Sequence, residues 1–309
     1  MRRLGFTPNR AARALVTHRA DSVALVIPEP DERVLGDPFF AQVIQGLGQA
    51  LGETDVQLVL VLARRGDTTE RTIRYLRQGH VDGSVVVSHH ESDGIERALV
   101  TASLPTVFVV RPWYLPGLLS YVDTDNRQGA VLATRHLIER GRRRIGTVAG
   151  PADMIAGVDR LAGWSAAMTA RGLAVDAVEC GDFTTSGGAA AATRLIERHP
   201  DLDAIFVAND LMAIGVLRGA GRSVPDDIAL VGYDNSAVAS IMDPPLTTVV
   251  NPVAEMARTA CLVLLERIVR GRPDRSADDL PAAAGRAVLE LTPGTRRGWW
   301  SFPSNRETL

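Results

Sequence analysis

LDAIFVANDLMAIGVLRG (residues 202–219) joins a short apolar run directly to a segment with a helical pattern. Residues 202–208 have the length and composition of a strand that is buried on both faces, and residues 209–219 predict a helix. The same alternation recurs along most of the chain. Strand, helix and strand in this order predict right-handed crossovers and a parallel sheet with helices on both faces.

Other segments of both kinds extend the pattern in both directions. A final helix from Val253 to Ile268 begins after a capping Asn251 and carries Cys261 on its core side, and a last strand is expected at 287–292. Because the strands outnumber the roughly six of one ordinary sheet, we predict an α/β protein of two Rossmann-like, doubly wound lobes. The remaining strands are expected at 22–27, 56–63, 83–88, 105–110, 143–150 and 227–233, and the remaining helices at 39–51, 68–79, 126–140, 158–171 and 186–198.

Composition limits the classes of protein to consider. A chain of 309 residues is long enough for two domains, and its net charge of −2 gives it no overall basic surface for nucleic acid. Two cysteines are too few for a disulfide framework or a zinc site. No apolar run approaches the roughly 20 residues of a membrane span. The first 20 residues lack the apolar core of a signal peptide, so a cytoplasmic location is predicted.

Two motifs that suggest chemistry are weak. Gly46, Gly48 and Gly52 superficially resemble a dinucleotide-binding motif, but they lie inside a helical pattern and have the wrong spacing. His89 and His90 are expected to point apart into solvent, and no third metal ligand follows at a suitable spacing. No nucleophile motif occurs either. The sequence therefore predicts no enzyme, no metal and no cofactor.

Polar and aromatic residues gather where the predicted strands end. Ligands of open α/β sheets bind at this edge, where loops converge and helix N-termini face the crevice. Carboxylates, amides and guanidinium groups bond to hydroxyls, and aromatic rings stack on the C–H face of a sugar. The candidates are Asp37, Phe39, Phe40, Arg111, Arg160, Phe183, Asn209, Asp210 and Asp234.

Several candidates also have an explanation without a ligand. One of Phe39 and Phe40 is expected to fill the core. Asp210 is better explained as the cap of the helix that it begins, and Asp234 could cap its own loop. The candidates are stronger together than singly, because all of them fall at the same end of the predicted sheets.

Eight segments, in this order, resemble the successive signatures of the LacI/GalR family of transcriptional regulators. The likeness runs from about residue 4 to about residue 292, and it implies a periplasmic-binding-protein-like fold of type I with three crossovers between the lobes. It also implies an effector in the cleft and a homodimer. The segments are PNRAARAL (8–15), DPFFAQVIQGL (37–47), VDGSVVV (81–87), TDNRQGA (124–130), RLAGWSAAM (160–168), FVANDLMAIGVLR (206–218), ALVGYDN (229–235) and PPLTTV (244–249).

The resemblance assigns lobes and roles to residues. The first lobe is predicted to comprise 21–141 plus 248–275, and the second 142–247 plus 276–295, followed by a tail at 296–309. Phe183 matches the aromatic stacker of the family, and Phe39 and Phe40 match the cleft floor. A sugar is the family's default effector, and a purine or another small metabolite is the alternative. Related sugar-binding proteins often have aspartate where this chain has Val110 before Arg111, and the loss of that hydroxyl acceptor disfavours a ribose-like ligand. The polar effector contacts would be Arg160, Asn209, Asp234 and Asn251.

The first 20 residues resemble the end of a DNA-binding domain and its hinge helix. In a dimer, Asn9, Arg10 and Arg13 would contact DNA, and Leu15 would enter a minor-groove base step. These residues are too few for a helix-turn-helix, so operator DNA is expected as a partner only with that motif restored. Replacing Asp234 or Arg160 by alanine is predicted to abolish the effector response and leave the fold intact.

Two alternatives use the same pattern of strands and helices. A transport-type periplasmic sugar-binding protein would share the lobes but would be exported. An enzyme on a Rossmann-like lobe would need a nucleotide motif and a catalytic set, neither of which we find. The identity of the effector, its direction of action and the operator sequence do not follow from the residues.

Overall fold

The computed structural model describes residues 19–63, 69–270 and 291–292, which form two α/β lobes. The predicted DNA contacts Asn9, Arg10, Arg13 and Leu15, and the predicted tail, lie outside the described residues. The first half of the chain contains β1 (Ser22–Ile27), α1 (Asp31–Gly36), α2 (Pro38–Leu51), β2 (Gln57–Leu62), α3 (Thr69–Arg77), β3 (Gly83–Val86), α4 (Ile95–Ala102), β4 (Thr106–Val109), β5 (Ser120–Val122) and α5 (Asn126–Glu139). The second half contains β6 (Ile145–Ala149), α6 (Ile155–Thr169), β7 (Val178–Cys180), α7 (Thr185–Arg198), β8 (Ala204–Val207), α8 (Asp210–Gly219), β9 (Ala229–Asp234), α9 (Ala237–Ile241), β10 (Thr247–Val250), α10 (Val253–Arg270) and β11 (Leu291–Thr292).

Each lobe has its own sheet. The first has the strand order β2-β1-β3-β4-β5, and all its pairs are parallel. The second has the order β11-β10-β9-β8-β6-β7, and only β11 pairs antiparallel. The prediction of two doubly wound parallel sheets is therefore confirmed.

Helices cover both faces of each sheet, which explains the continuous apolar strands. On β1, Val23 and Leu25 face a core shared with α2 and α10, whereas Ala24 and Val26 face a second core on the opposite side of the sheet. The second lobe has the same arrangement, with α7 and α8 on one face of its sheet and α5 and α6 on the other. Cys261 is fully buried in the core between α2 and α10, as predicted.

The chain passes between the lobes three times. It leaves the first lobe between β5 and α5, returns between β10 and α10, and crosses again between α10 and β11, a stretch outside the described residues. Two predicted boundaries are therefore wrong. Helix α5 packs on α6 and on the second sheet, and β10 also belongs to that sheet. The alternation of strand and helix identifies a helix, but it does not reveal which sheet that helix covers.

Short elements escaped the sequence analysis. Strands β5, β7 and β10 have three or four residues each and include polar ones, so they form no continuous apolar run, and α1, α4 and α9 are short. The final predicted strand is described only at 291–292, where it pairs with β10. Within the described ranges, no helix is both long and apolar enough to cross a membrane.

Candidate functional site

A cleft of about 660 Å³, open solvent included, lies between the two lobes at the carboxyl ends of their strands. Both lobes and both described crossovers contribute to its walls. The lining residues are Arg33, Asp37, Phe39, Ser88, His89, Val110, Thr124, Asn126, Met154, Ile155, Ala156, Arg160, Phe183, Asn209, Asp234, Asn251 and Met256.

The Arg160 side chain, from α6, is the most heavily bonded group of the cleft. It is only 5% exposed, and its Nε donates to Asn126 Oδ1 at 2.9 Å. Its Nη1 donates to the carbonyl oxygen of Ala208 at 2.6 Å, and its Nη2 lies 3.3 Å from Asp234 Oδ1. The guanidinium carbon also lies 3.7 Å from the centroid of the Tyr233 ring. Three donors and one face are therefore in use, and the side chain is fixed before any ligand binds.

Asp234 links the arginine to the second crossover. Asn251 Nδ2 donates to Asp234 Oδ1 at 3.0 Å. Burial raises the pKa of Asp234, and the Arg160 charge opposes that rise. The Asn251 amide oxygen is buried without a hydrogen-bond partner among the described residues, and so is Thr124 Oγ1 in the first crossover. Unpaired polar atoms in a cleft wall are natural contacts for the hydroxyls of a ligand, because leaving them unsatisfied costs free energy.

The Phe183 ring forms one apolar wall of the cleft. Its backbone has a φ of +64°, a strained conformation for a non-glycine residue, and Asn209 Nδ2 donates to its carbonyl oxygen at 3.1 Å. The Asn209 amide oxygen caps α8 by accepting from the Met212 N–H, so this side chain is largely occupied by structural bonds. A side chain at Gly150 would overlap the Phe183 ring, which explains the glycine there.

Charges along the cleft are balanced. Arg33 Nη1 lies 2.8 Å from Glu29 Oε1, and Arg160 Nη2 lies 3.3 Å from Asp234 Oδ1. Among the described residues, each arginine in the cleft wall therefore has a carboxylate partner. Asp37 caps α2 by accepting from the Phe39 N–H at 2.9 Å. Burial raises the pKa of Asp37 to about 6, and the charge of Asp234 adds to the rise. The cleft therefore offers no excess positive charge to an anion.

With Asp210 set aside as a helix cap, nine residues were predicted to bind the ligand; seven of them line the cleft, and two do not. Phe40 is 1% exposed and packs in the core of the first lobe, because consecutive residues at the start of α2 point in different directions. Arg111 reaches across the rim of the cleft and binds Asp159. The seven residues that line it are Asp37, Phe39, Arg160, Phe183, Asn209, Asp234 and Asn251.

Three expectations for neighbouring residues are wrong. His89 and His90 are buried, not solvated, at 3% and 4% exposure, and burial lowers the pKa of His89 to about 4. Asp210 does not cap α8; it accepts from Ser236 and from Thr248 Oγ1 at 2.6 Å, and so binds two neighbouring elements together. Asn251 does not use its amide oxygen to cap α10.

The sequence analysis missed ten lining residues. Some are apolar, such as Met154 and Ile155, and have no local feature that distinguishes them from core residues. Thr124 and Asn126 follow the unpredicted strand β5, although both lie in a segment that resembles a family signature. His89 follows β3, and its position after a strand end could have identified it as a residue of the cleft. The full set is Arg33, Ser88, His89, Val110, Thr124, Asn126, Met154, Ile155, Ala156 and Met256.

Comparison with known proteins agrees with a two-lobed binding protein. The model of the periplasmic binding protein-like domain matches residues 134–287. The HTH-type transcriptional regulator CelR of Thermobifida fusca is 46% identical over 274 residues, which cover 87% of this chain and 81% of that protein. The ribose operon repressor of Escherichia coli K12 is 32% identical over 281 residues, which cover 87% of this chain and 82% of the repressor.

A solved complex of the transcriptional regulator CelR with cellobiose superposes with a TM-score of 0.79 at 42% identity, covering 89% of this chain and 83% of that one. The fold and cleft define a periplasmic-binding-protein-like receptor for a small molecule. The chain belongs to the LacI family of transcriptional regulators. The described residues form the two effector-binding lobes of such a regulator. These relatives favour the regulator over both alternatives considered from sequence.

Proposed function

We propose that this chain senses a neutral disaccharide of the cellobiose type in the cleft between its lobes. The balanced charge of the cleft is the observation that carries the proposal. A phosphate or carboxylate on the ligand would need an unpaired arginine, whereas Arg33 and Arg160 are already paired with carboxylates. Hydroxyl groups need mixed donors and acceptors, which Asp37, Thr124 and Asn251 supply.

The apolar wall supports a sugar over a fully polar ligand. Phe183, Met154 and Ile155 line the second-lobe side of the cleft, and Phe39 and Met256 line the first. The C–H faces of a pyranose ring pack on such surfaces while its hydroxyl edges meet the polar groups. The relative that is solved with cellobiose suggests the linkage and the size of the ligand. A regulator of this kind works beside DNA, so we also propose a cytoplasmic location and no catalytic activity.

Calorimetric titration with cellobiose tests the proposal. We expect saturable binding of cellobiose, and much weaker binding of maltose and of a phosphorylated disaccharide. The maltose arm tests the β-linkage, and the phosphorylated arm tests the charge balance. The Asp234→Asn variant should lose binding, because the uncharged amide holds Arg160 less well and replaces an acceptor by a donor. Tight binding of the phosphorylated sugar alone would contradict the proposal.

The pH dependence of binding tests the role of Asp37. Its pKa is raised to about 6 in the free protein, chiefly by burial. A hydroxyl that donates to this carboxyl group favours its ionised form, so binding releases a proton below that pH. We therefore expect affinity for cellobiose to rise from pH 5 to pH 7 and then to level off.

The Asp37→Asn variant should remove this part of the pH dependence and should bind more weakly than the wild type at pH 8. Asp123, whose pKa burial also raises to about 6, remains in the variant and shows how much of the slope comes from other groups. An unchanged slope in Asp37→Asn would mean that Asp37 does not contact the effector.

A further inference from the structure

Arg111 connects the two lobes at the rim of the cleft. It follows β4 of the first lobe, and its guanidinium reaches Asp159 on α6 of the second lobe. The contact is bidentate, with Nη1–Oδ2 and Nη2–Oδ1 distances of 2.7 and 3.1 Å. Arg111 Nη1 also lies 4.0 Å from Asp123 Oδ2 in the first crossover. One side chain thus touches both lobes and the segment that joins them.

The backbone before Arg111 is strained. Val110 has a φ of +74°, in the left-handed region that a β-branched residue rarely adopts. Hydrogen bonds hold this turn in place: the Val110 N–H donates to the Val122 carbonyl oxygen at 2.8 Å, and the Arg111 N–H donates to Asp123 Oδ2 at 3.2 Å. The strained turn is what carries the chain off the end of β4 where Arg111 can cross the rim. Strain of this kind is characteristic of functional sites.

Asp159 directly precedes Arg160 on α6. Arg160 lines the cleft, so one turn of one helix carries both a residue of the ligand site and the partner of Arg111. A second contact between the lobes lies just before this helix, where the Glu91 N–H donates to the Asp153 carbonyl oxygen at 2.9 Å. Separation of the lobes would move α6 away from Arg111 and would break the ion pair.

We propose that the Arg111–Asp159 pair is a latch that stabilises the closed form of the two lobes and so raises affinity for the effector. The pair exists only when the lobes are together, and an interaction that differs between two states shifts their equilibrium by that difference. Effector affinity scales with the closed fraction of the free protein. Arg111 and Asp159 act as positioning residues, and the effect on affinity rests on the proposed site in the cleft.

A rim ion pair without this role would contribute little, since many exposed pairs have no measurable effect. The chain offers a matched control that distinguishes a latch from an ordinary surface ion pair. Arg144 binds Asp176 in the same bidentate manner, at 2.6 and 3.1 Å, but both residues belong to the second lobe. Arg144 Nε also donates to Asp201 of the same lobe at 2.9 Å, so loss of Arg144 removes at least as many bonds without changing a contact between the lobes.

Calorimetric titration with cellobiose measures the latch in Arg111→Ala, Asp159→Ala and the double variant. We expect each single variant to bind about three- to tenfold more weakly, and the double variant to bind no worse than the weaker single one, since the pair is lost once. Arg144→Ala and Asp176→Ala should bind within about twofold of the wild type. Additive losses, or equal losses in the control pair, would overturn the latch.

A distance measurement without ligand separates the latch from the proposed effector. Spin labels on the exposed Cys180 of the second lobe and on Glu53→Cys in the first report the separation of the lobes, while Cys261 is buried. Arg111→Ala should shift the distance distribution of the free protein towards the open form, and Arg144→Ala should not. Unchanged distances in Arg111→Ala would overturn the latch. If wild-type protein binds no cellobiose, the proposed effector fails, and the distances still decide the latch.

Discussion

Replacing Arg160 by methionine is expected to abolish effector binding and to lower the free energy of unfolding by about 3–5 kcal/mol, the usual cost of removing one partner of a buried ion pair. Methionine keeps much of the volume but none of the donors. Asp234 would then be buried without its cation, and the carbonyl oxygen of Ala208 and the amide oxygen of Asn126 would each lose a bond. Sequence analysis expected Arg160→Ala to leave the fold intact; the burial of Arg160 at 5% exposure argues against this.

Thermal unfolding measures the loss, which should lower the melting temperature by roughly 6–20 °C at 2–4 °C per kcal/mol. The loss should increase with pH. Burial raises the pKa of Asp234, and without Arg160 the rise is larger, so stability is retained at low pH and lost as the pH rises through the new value. Arg144→Met, which removes ion pairs with the exposed carboxylates of Asp176 and Asp201 in the same lobe, should change the melting temperature little. Equal effects of the two variants would contradict the central role of Arg160.

Gly46→Ala and Gly48→Ala are expected to have opposite effects on stability, although only Leu47 separates the two glycines on α2. A Cβ atom at Gly46 would overlap the carbonyl oxygen of Ala254 and would lie 2.9 Å from Ala257 Cβ on α10. The two helices would have to separate, at a cost of about 1–3 kcal/mol. A Cβ atom at Gly48 has no neighbour within 4 Å, so alanine there should stabilise the helix by about 0.5–1 kcal/mol.

Urea unfolding of the two variants gives the comparison directly, since each serves as the control for the other. We expect a lower midpoint for Gly46→Ala and a higher midpoint for Gly48→Ala. Destabilisation by both would mean that α2 needs glycine for a reason other than its contact with α10. The glycines that resembled a nucleotide motif would then require a different structural explanation.

Most of the predicted ligand-binding residues line the cleft because strand ends are readable from sequence. Asp234 follows an apolar run that stops at Tyr233, and the carboxyl ends of parallel strands lie along one edge of the sheet. Asn209 and Arg160 were placed near the same edge by the same argument or by family resemblance. The apolar lining residues were missed because nothing local distinguishes Met154 from a core residue.

Directions and partners of side chains could not be predicted in the same way. Phe39 and Phe40 are adjacent and chemically identical, yet only Phe39 lines the cleft. Arg111 is a residue type that commonly contacts ligands and follows a strand, but it binds Asp159, which lies 48 positions away in the other lobe. The prediction placed α5 in the first lobe for the same reason, since its apolar stripe would fit either sheet.

The sequence by itself determined the two parallel sheets, the edge of the sheets at which the cleft lies and the membership of the LacI family. Each depends on local periodicity, on where apolar runs stop, or on motifs in a fixed order. Only the tertiary structure decided that α5 and β10 belong to the second lobe, that Arg160 is buried in a hydrogen-bond network, and that Arg111 bridges the lobes. These depend on how the two lobes meet, and contacts between residues far apart in the chain leave no periodic mark on the sequence.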